Sequence, residues 1–325
     1  MPKIPRSIPA LSALYCRVKA IRVKDFVRLE GLKREYIIPL ILPQVGRIAL
    51  CGVAKHGKSF LALQLAMSVS QGRPFLGFEV THPGPVLYLQ FDTPAELWQE
   101  RVAGLEQAGI LVDPDDSHGL YVIHPSTQPR SVNILSGHDA RSIHDMITAT
   151  LPVLVVVDVL RSVHRLSENE SEHMQQVIGH LSTVCQGRSL LIVHHTGKPS
   201  TDPKAVRRSA SMAGRGSSYL GGEMDANWLL HGSSKGHASL EIEARFAAPE
   251  EPLRLVQNSV GLWNRTAASK LGRPPVARTA YQEAIKLDPE LAALSVLEAS
   301  ERTGIGKSTI QRERELSQNA EAPII

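Results

Sequence analysis

"RIALCGVAKHGKSFLALQLAMSVSQG", residues 47–72, passes from a short apolar strand through a glycine loop into an amphipathic helix closed by Gly72. Inside it, "GVAKHGKS" fits G-x-x-x-x-G-K-[ST] at Gly52, Gly57, Lys58 and Ser59. The spacing has a mechanical reason. Backbone N–H groups of such a loop and of the helix after it converge on a phosphate, so side chains must be absent where the phosphate comes close. Lys58 would reach the β- and γ-phosphates, and the Ser59 hydroxyl would ligate Mg²⁺. A strand before the loop and a helix after it are the context that gives the motif its meaning. We therefore expect ATP to be held by Gly52, Val53, Ala54, Lys55, His56, Gly57, Lys58, Ser59 and Phe60.

Outward from this loop, apolar runs alternate with helical spacing. "PVLYLQFD" (85–92), "GLYVIHP" (119–125), "PVLVVVDV" (152–159) and "SLLIVHH" (189–195) read as strands. The third is nearly continuous in Val and Leu, as a strand covered on both faces should be. A helix begun by proline follows at 94–108, and 170–187 repeats Met174, Val177, Ile178, Leu181 and Val184 at helical spacing. Alternation of this kind predicts an α/β fold, a parallel sheet with helices on both sides. Further strands are expected near 225–231, 238–244 and 253–257, and "GRPP" (272–275) punctuates a boundary. No internal repeat is found. The expected organisation is a basic arm at 1–34, an ATPase core at 35–265, and a linker with helices at 266–325.

A second stretch, "TGIGKST" (303–309), imitates the phosphate loop. Five residues before Gly306 the pattern demands glycine and the chain has Glu301, and no apolar strand precedes it. "LSVLEASERTGIGKSTIQRERE" (294–315) instead has the form of a helix-turn-helix: Gly304 at the turn, Ile305 and Ile310 inward, a second helix from Lys307 to Arg314. Arg312 and Arg314 carry the chemistry for contacts to DNA. Residues 266–325 nonetheless hold eight Lys/Arg and eight Asp/Glu, so a pair that packs on a partner subunit is the other reading.

The remaining catalytic parts are sought at strand ends. Asp158 ends the Val-rich strand and is the expected acid on the Mg²⁺ side. Asp92 ends "VLYLQFD", where a carboxylate could polarise the attacking water. His194 and His195 end the fifth strand; neighbours on a strand face opposite ways, so one is expected to sense the γ-phosphate while the other packs.

The stretch 35–94, together with "LVVVDVLRSVHRLSENESEHM", "LIVHHTGK" and "RGSSYLGGEMDANWLL", resembles the RecA-like ATPases related to RepA-type hexameric replication helicases. The resemblance covers about residues 35–265. It implies a RecA-like P-loop core, ATP with Mg²⁺, a homo-oligomeric ring that is usually a hexamer, and movement along single-stranded DNA in replication. Position by position it implies that Lys58 and Ser59 bind phosphate and metal, that Asp158 is the second acid, and that His195 is the γ-phosphate sensor. Two positions depart. Members typically carry glutamate where this chain has Asp92, one methylene shorter. A basic residue before the tryptophan near 228 is replaced by Asn227, which leaves Arg245 and Arg215 as candidates for an arginine acting on a neighbouring subunit's nucleotide. The resemblance also sets the loop 196–218 on the ring's channel, where Lys198, Lys204, Arg207 and Arg208 would hold the DNA backbone. Two other functions remain: a DNA-stimulated ATPase that remodels or loads partners without unwinding, and a nucleotide-gated DNA-binding regulator.

Bulk properties agree with these readings. The chain has 325 residues, 42% hydrophobic and 21% charged, with a net charge of +4. Residues 1–30 alone hold seven Lys/Arg against Asp25 and Glu30, a net +5. Cys16, Cys51 and Cys185 are odd in number and far apart, which argues against a disulfide framework and fits a reducing cytoplasm. "IIPLILP" (37–43), the longest apolar run, is too short to cross a bilayer, and no signal-peptide block opens the chain. We expect a cytoplasmic protein with no membrane partner.

Overall fold

The computed structural model describes residues 21–29, 34–109, 118–128, 131–196, 219–232, 236–246, 248–266 and 288–305, with Lys307, Ile310 and Gln311. The chain divides into two units, Met1–Arg265 and Thr266–Ile325.

In the first unit a short helix α1 (Val23–Phe26) precedes a two-stranded antiparallel pair, β1 (Tyr36–Ile38) and β2 (Leu42–Pro43). The elements β3 (Gly46–Gly52), α2 (Lys58–Gln71), β4 (Val86–Gln90), α3 (Ala95–Gln107), β5 (Leu120–Ile123), α4 (Gly137–Thr150), β6 (Leu154–Asp158), α5 (Ser171–Val184) and β7 (Ser189–His195) then alternate. The short helix α6 (Tyr219–Glu223) leads to β8 (Ala226–Gly232), β9 (His237–Ala244), β10 (Leu253–Gln257) and β11 (Trp263–Arg265). One sheet collects nine strands in the order β11-β10-β9-β8-β3-β7-β6-β4-β5. From β8 to β5 every pairing is parallel, and β9 to β11 add on as antiparallel ribbons. This is the RecA-like α/β core: a mostly parallel sheet with helices on both faces.

Strand periodicity sorts the core into two layers. Ile48, Leu50, Val156, Leu191 and Val193 pack with α2 and its neighbours on one face. Ala49, Cys51, Val155, Val157, Leu190 and Ile192 pack with the apolar stripe of α5 on the other. With both sides covered, β6 shows no exposed residue, which is why its sequence is aliphatic without alternation.

One element departs from expectation. The spacing in residues 58–72 predicts an amphipathic helix, yet α2 is buried at every position from Leu61 to Ser70. Its outer face is covered by residues far along the chain: the Gln64 side chain donates to the Trp263 carbonyl and accepts its N–H, both at 2.9 Å, tying β11 across the helix. Gln64 and Ser68 are polar in sequence and buried in fact.

The second unit contains a 3₁₀ turn at Pro289–Ala292 and the helix α7 (Val296–Thr303). A reciprocal pair of bonds between Ser295 and Glu298 caps its start, and Gly304 closes it in the left-handed region with φ 71°. Ala299 and Ile310 are buried together, with Leu294, Val296 and Ile305 against them.

Candidate functional site

The strands fix the site by where they stop. In the parallel register Gly52 stands beside His195 and Leu230, and Gln90 beside Asp158, so the loops after β3, β4, β6 and β7 leave from one sheet edge. Ligands of open parallel sheets bind at this carboxyl edge.

The loop 52–57 turns through Lys55 (φ 65°) and Gly57 (φ 84°). A side chain on Gly57 would be strained by that φ, and its Cβ would come within 2.5 Å of the Trp263 ring. The Trp263 Nε1–H donates to the Gly57 carbonyl at 3.1 Å, so β11 buttresses the loop from outside. The first intrahelical bond of α2 is Leu61 N–H to Gly57 O, at 3.0 Å. The N–H groups of Lys58, Ser59 and Phe60 thus begin the helix without intrahelical partners, an arrangement that suits an anion. The Phe60 ring itself is turned away, packing under Arg101 at 4.7 Å and against Gly261. Lys58 is buried, and its Nζ donates to the Val53 carbonyl at 2.9 Å. Burial lowers its ammonium to about 8, with Asp158, Cys51 and Asp92 opposing the shift.

Asp158 is wholly buried at the end of β6. One carboxylate oxygen accepts the Ser59 hydroxyl at 3.1 Å and the other the Tyr88 hydroxyl at 2.9 Å. Burial raises its carboxyl to about 6, against the two hydroxyl bonds that favour the charged form. The same burial, with Asp158 beside it, holds the Tyr88 phenol well above its ordinary range, so it serves as a donor. A hydroxyl and a carboxylate in mutual contact beside a phosphate cradle are hard oxygen donors of the type Mg²⁺ takes. These residues fit the ion.

Asp92 is exposed on the turn after β4, electrostatically coupled to Lys58, Asp158 and His195. His195 shares the α2 face with Val193, and burial together with Lys58 lowers its imidazole below the usual value, so it is neutral at pH 7. His194 faces the other layer, buried, with Nδ1 3.7 Å from Glu168.

Lys58, Ser59, Asp92, Asp158 and His195 are therefore brought together. Arg245 is not. It follows Ala244, which pairs with Ala226 at the far end of β8, and its guanidinium donates to the Gly222 carbonyl. Asn227 is buried there, donating to the Gly221 carbonyl at 3.0 Å. Lys198, Lys204, Arg207, Arg208, Arg215, Arg312 and Arg314 lie outside the described residues.

Four further residues build the site. Tyr88 holds Asp158, and Trp263 props Gly57. Arg101 donates to Thr93 Oγ1 at 2.9 Å and is near enough to Asp158 to bias its charge. Gln90 accepts the N–H groups of Asp92 and Thr93. A tyrosine and a glutamine inside an aliphatic strand were the available signal for two of them; Arg101 and Trp263 carried none.

A family model described as "AAA domain" matches residues 16–201 of the chain. Among solved structures, the chain is similar to a crystal structure of a KaiC-like protein from the hyperthermophilic archaeon Pyrococcus horikoshii OT3. Identity is 13% and the TM-score 0.49, over 72% of this chain and 99% of that one.

Proposed function

This chain belongs to the AAA domain family and is a RecA-like, nucleotide-dependent ATPase; from that premise we propose that it is an ATP-dependent helicase or translocase working on single-stranded DNA as a homo-oligomeric ring, six subunits by the RepA-type resemblance. One observation carries the reading. β7 ends at His195 beside the phosphate loop, and the chain runs on from there into the stretch with Lys198, Lys204, Arg207 and Arg208. A residue that meets the γ-phosphate is thereby continuous with residues suited to a nucleic-acid backbone.

In this mechanism the helix N-terminus and loop amides take the β-phosphate, and Lys58 exchanges the Val53 carbonyl for phosphate oxygens. Ser59 and Asp158 would hold Mg²⁺, which when bound neutralises charge across the β- and γ-phosphates. Asp92 orients the attacking water, and His195, neutral, hydrogen-bonds the γ-phosphate. Arg245, at the opposite sheet end, serves a neighbouring subunit's nucleotide. Arg312 and Arg314 add DNA contacts from the second unit.

The test is ATP turnover with and without single-stranded DNA, followed by strand displacement on a forked duplex. Stimulated turnover with displacement supports the proposal. Stimulated turnover without displacement turns it into a partner loader. Absence of turnover favours a nucleotide-gated DNA-binding regulator, to which the shorter reach of Asp92 lends weight. The shared site has its own check: Lys58→Ala and Arg245→Ala chains, each inactive, should regain turnover when mixed, because one supplies the arginine to the other's intact loop. No recovery would count against a site completed between subunits.

A further inference from the structure

Asp92 is held differently from Asp158. Asp158 belongs to a strand in mid-sheet, whereas Asp92 lies on a turn past the end of β4, whose backbone groups need partners of their own. Gln90, with no exposed surface, supplies them: its Oε1 accepts the N–H of Asp92 at 2.9 Å and of Thr93 at 3.0 Å. Two donors facing one oxygen fix which way the amide lies. Nε2 is turned away, buried and without a partner among the described residues.

The turn is closed from other sides too. His124 Nδ1 accepts the Ser126 N–H at 3.1 Å, so Nε2 carries the proton and donates to the Thr93 carbonyl at 2.8 Å. Arg101 donates to the Thr93 hydroxyl, and the Phe91 N–H to the Asp158 carbonyl at 3.0 Å. Thr93 is thus tied at N–H, C=O and hydroxyl. The Asp92 carboxylate, exposed, takes no hydrogen bond among the described residues.

We propose that Gln90 is a positioning residue for hydrolysis: its side-chain carbonyl locks the turn that aims the Asp92 carboxylate, giving by rigidity what the shorter side chain lacks in reach. The inference rests on Asp92 as the water-orienting group. Aspartate has one rotatable bond fewer than glutamate, so its carboxylate goes where the backbone points it. The idle Nε2 donor is a cost the fold carries for two backbone hydrogen bonds that an aliphatic side chain could not accept. Departures from local rules of this kind collect at functional positions.

A double-mutant cycle on the full chain tests it, using Gln90→Met, Asp92→Asn and the pair. Steady-state turnover of MgATP, affinity for a non-hydrolysable ATP analogue and melting temperature are measured for each. Gln90→Met should lower kcat by roughly ten- to a hundredfold, the scale of an ångström's misplacement, with analogue affinity and KM within about twofold of wild type. In the Asp92→Asn background it should change turnover by less than about twofold, because the group it positions is already lost. An equal factor in both backgrounds, or parallel losses of kcat, analogue affinity and melting temperature, would overturn the inference. Wild-type turnover in Asp92→Asn alone removes the reading of Asp92 instead, a distinguishable failure. If Gln90→Met does not fold, Gln90→Asn, which withdraws the acceptor by one methylene, enters the same cycle with the same criteria.

Discussion

Gly-Lys-Ser occurs twice in this chain, at 57–59 and at 306–308. The first copy follows β3, a strand in the middle of nine, and its lysine is buried against the end of β6. The second follows a helix, α7, and the glycine ahead of it is that helix's left-handed cap. Where the first loop needs open backbone for a phosphate, the hydroxyls at the end of α7 are spent locally: Ser300 Oγ donates to the Ile305 carbonyl at 2.7 Å and Thr303 Oγ1 to the Ala299 carbonyl at 2.6 Å. The tripeptide is common to both; what differs is the element that delivers it. A parallel strand ends at a sheet edge where other strand ends add an acid and a histidine, and a capped helix ends with its own bonds closed.

The comparison breaks most directly at the two lysines. Lys58→Ala should lower ATP turnover by on the order of 10²–10³-fold, as loss of a buried charge on a transition state does. Lys307→Ala should leave ATP affinity and basal turnover unchanged, as read by analogue titration and steady-state kinetics. Loss of nucleotide binding in the Lys307 variant would make the second stretch a site after all.

The next lever is Asp92, the acid beside the first loop. Asp92→Asn should reduce turnover by about 10²-fold with analogue binding intact, within the range of general acid–base effects. Asp92→Glu separates two ideas. If the side chain is too short for the water, added reach raises kcat; if the turn held by Gln90, His124 and Arg101 compensates, a longer side chain overshoots and kcat falls. We expect the fall, because Thr93, next in sequence, is tied at three atoms. Unchanged turnover in both variants would place the water-orienting group elsewhere.

Much of this was readable in advance, and the reasons are local. Strands covered on both faces, such as Leu154–Asp158, are aliphatic runs, and the polar residues ending them, Asp158 and His195, stand out against the runs, as does Asp92, which the structure places two residues past the end of β4. Periodicity of two places His195 on one face and His194 on the other. What sequence could not show depends on closure over distance. Gln64 meets Trp263 across 199 positions and His124 meets Thr93 across 31, and no pattern near either residue announces its partner. For the same reason the spacing in 58–72 reads as an amphipathic helix, whereas β11 lies across α2 through Gln64.

Stability sharpens the contrast further, because the first site buries a charge and the second does not. The folded-state carboxyl of Asp158 is raised from 3.8 to about 6, so the native state holds its proton more tightly than the unfolded chain. That contribution is complete below about pH 4 and is lost as pH rises through 6, by at most about 3 kcal/mol at 1.36 kcal/mol per unit. Asp158→Asn should therefore melt higher than wild type at pH 8 and alike at pH 4, while turnover is abolished. The hydroxyls of Tyr88 and Ser59 can turn to serve an amide, since each both donates and accepts. Equal melting temperatures at pH 8 would mean that the buried charge is already compensated without metal.

The smallest effect belongs to the imitation loop. Gly304 holds φ 71° as the cap of α7, with its N–H on the Ser300 carbonyl at 2.9 Å, and nothing lies within 4 Å of where a Cβ would stand. Gly304→Ala meets only backbone strain, about 1–2 kcal/mol for an L-residue in the left-handed region. Gly57→Ala meets that strain and the Trp263 ring as well. The two substitutions are chemically the same, so their consequences isolate context. Gly57→Ala should weaken nucleotide binding and lower the melting temperature. Gly304→Ala should loosen the small cluster of Ala299, Ile305 and Ile310, seen as faster amide exchange in α7, and leave analogue affinity untouched. If Gly304→Ala weakened nucleotide binding as Gly57→Ala does, the difference between strand-borne and helix-borne loops would lose its physical basis.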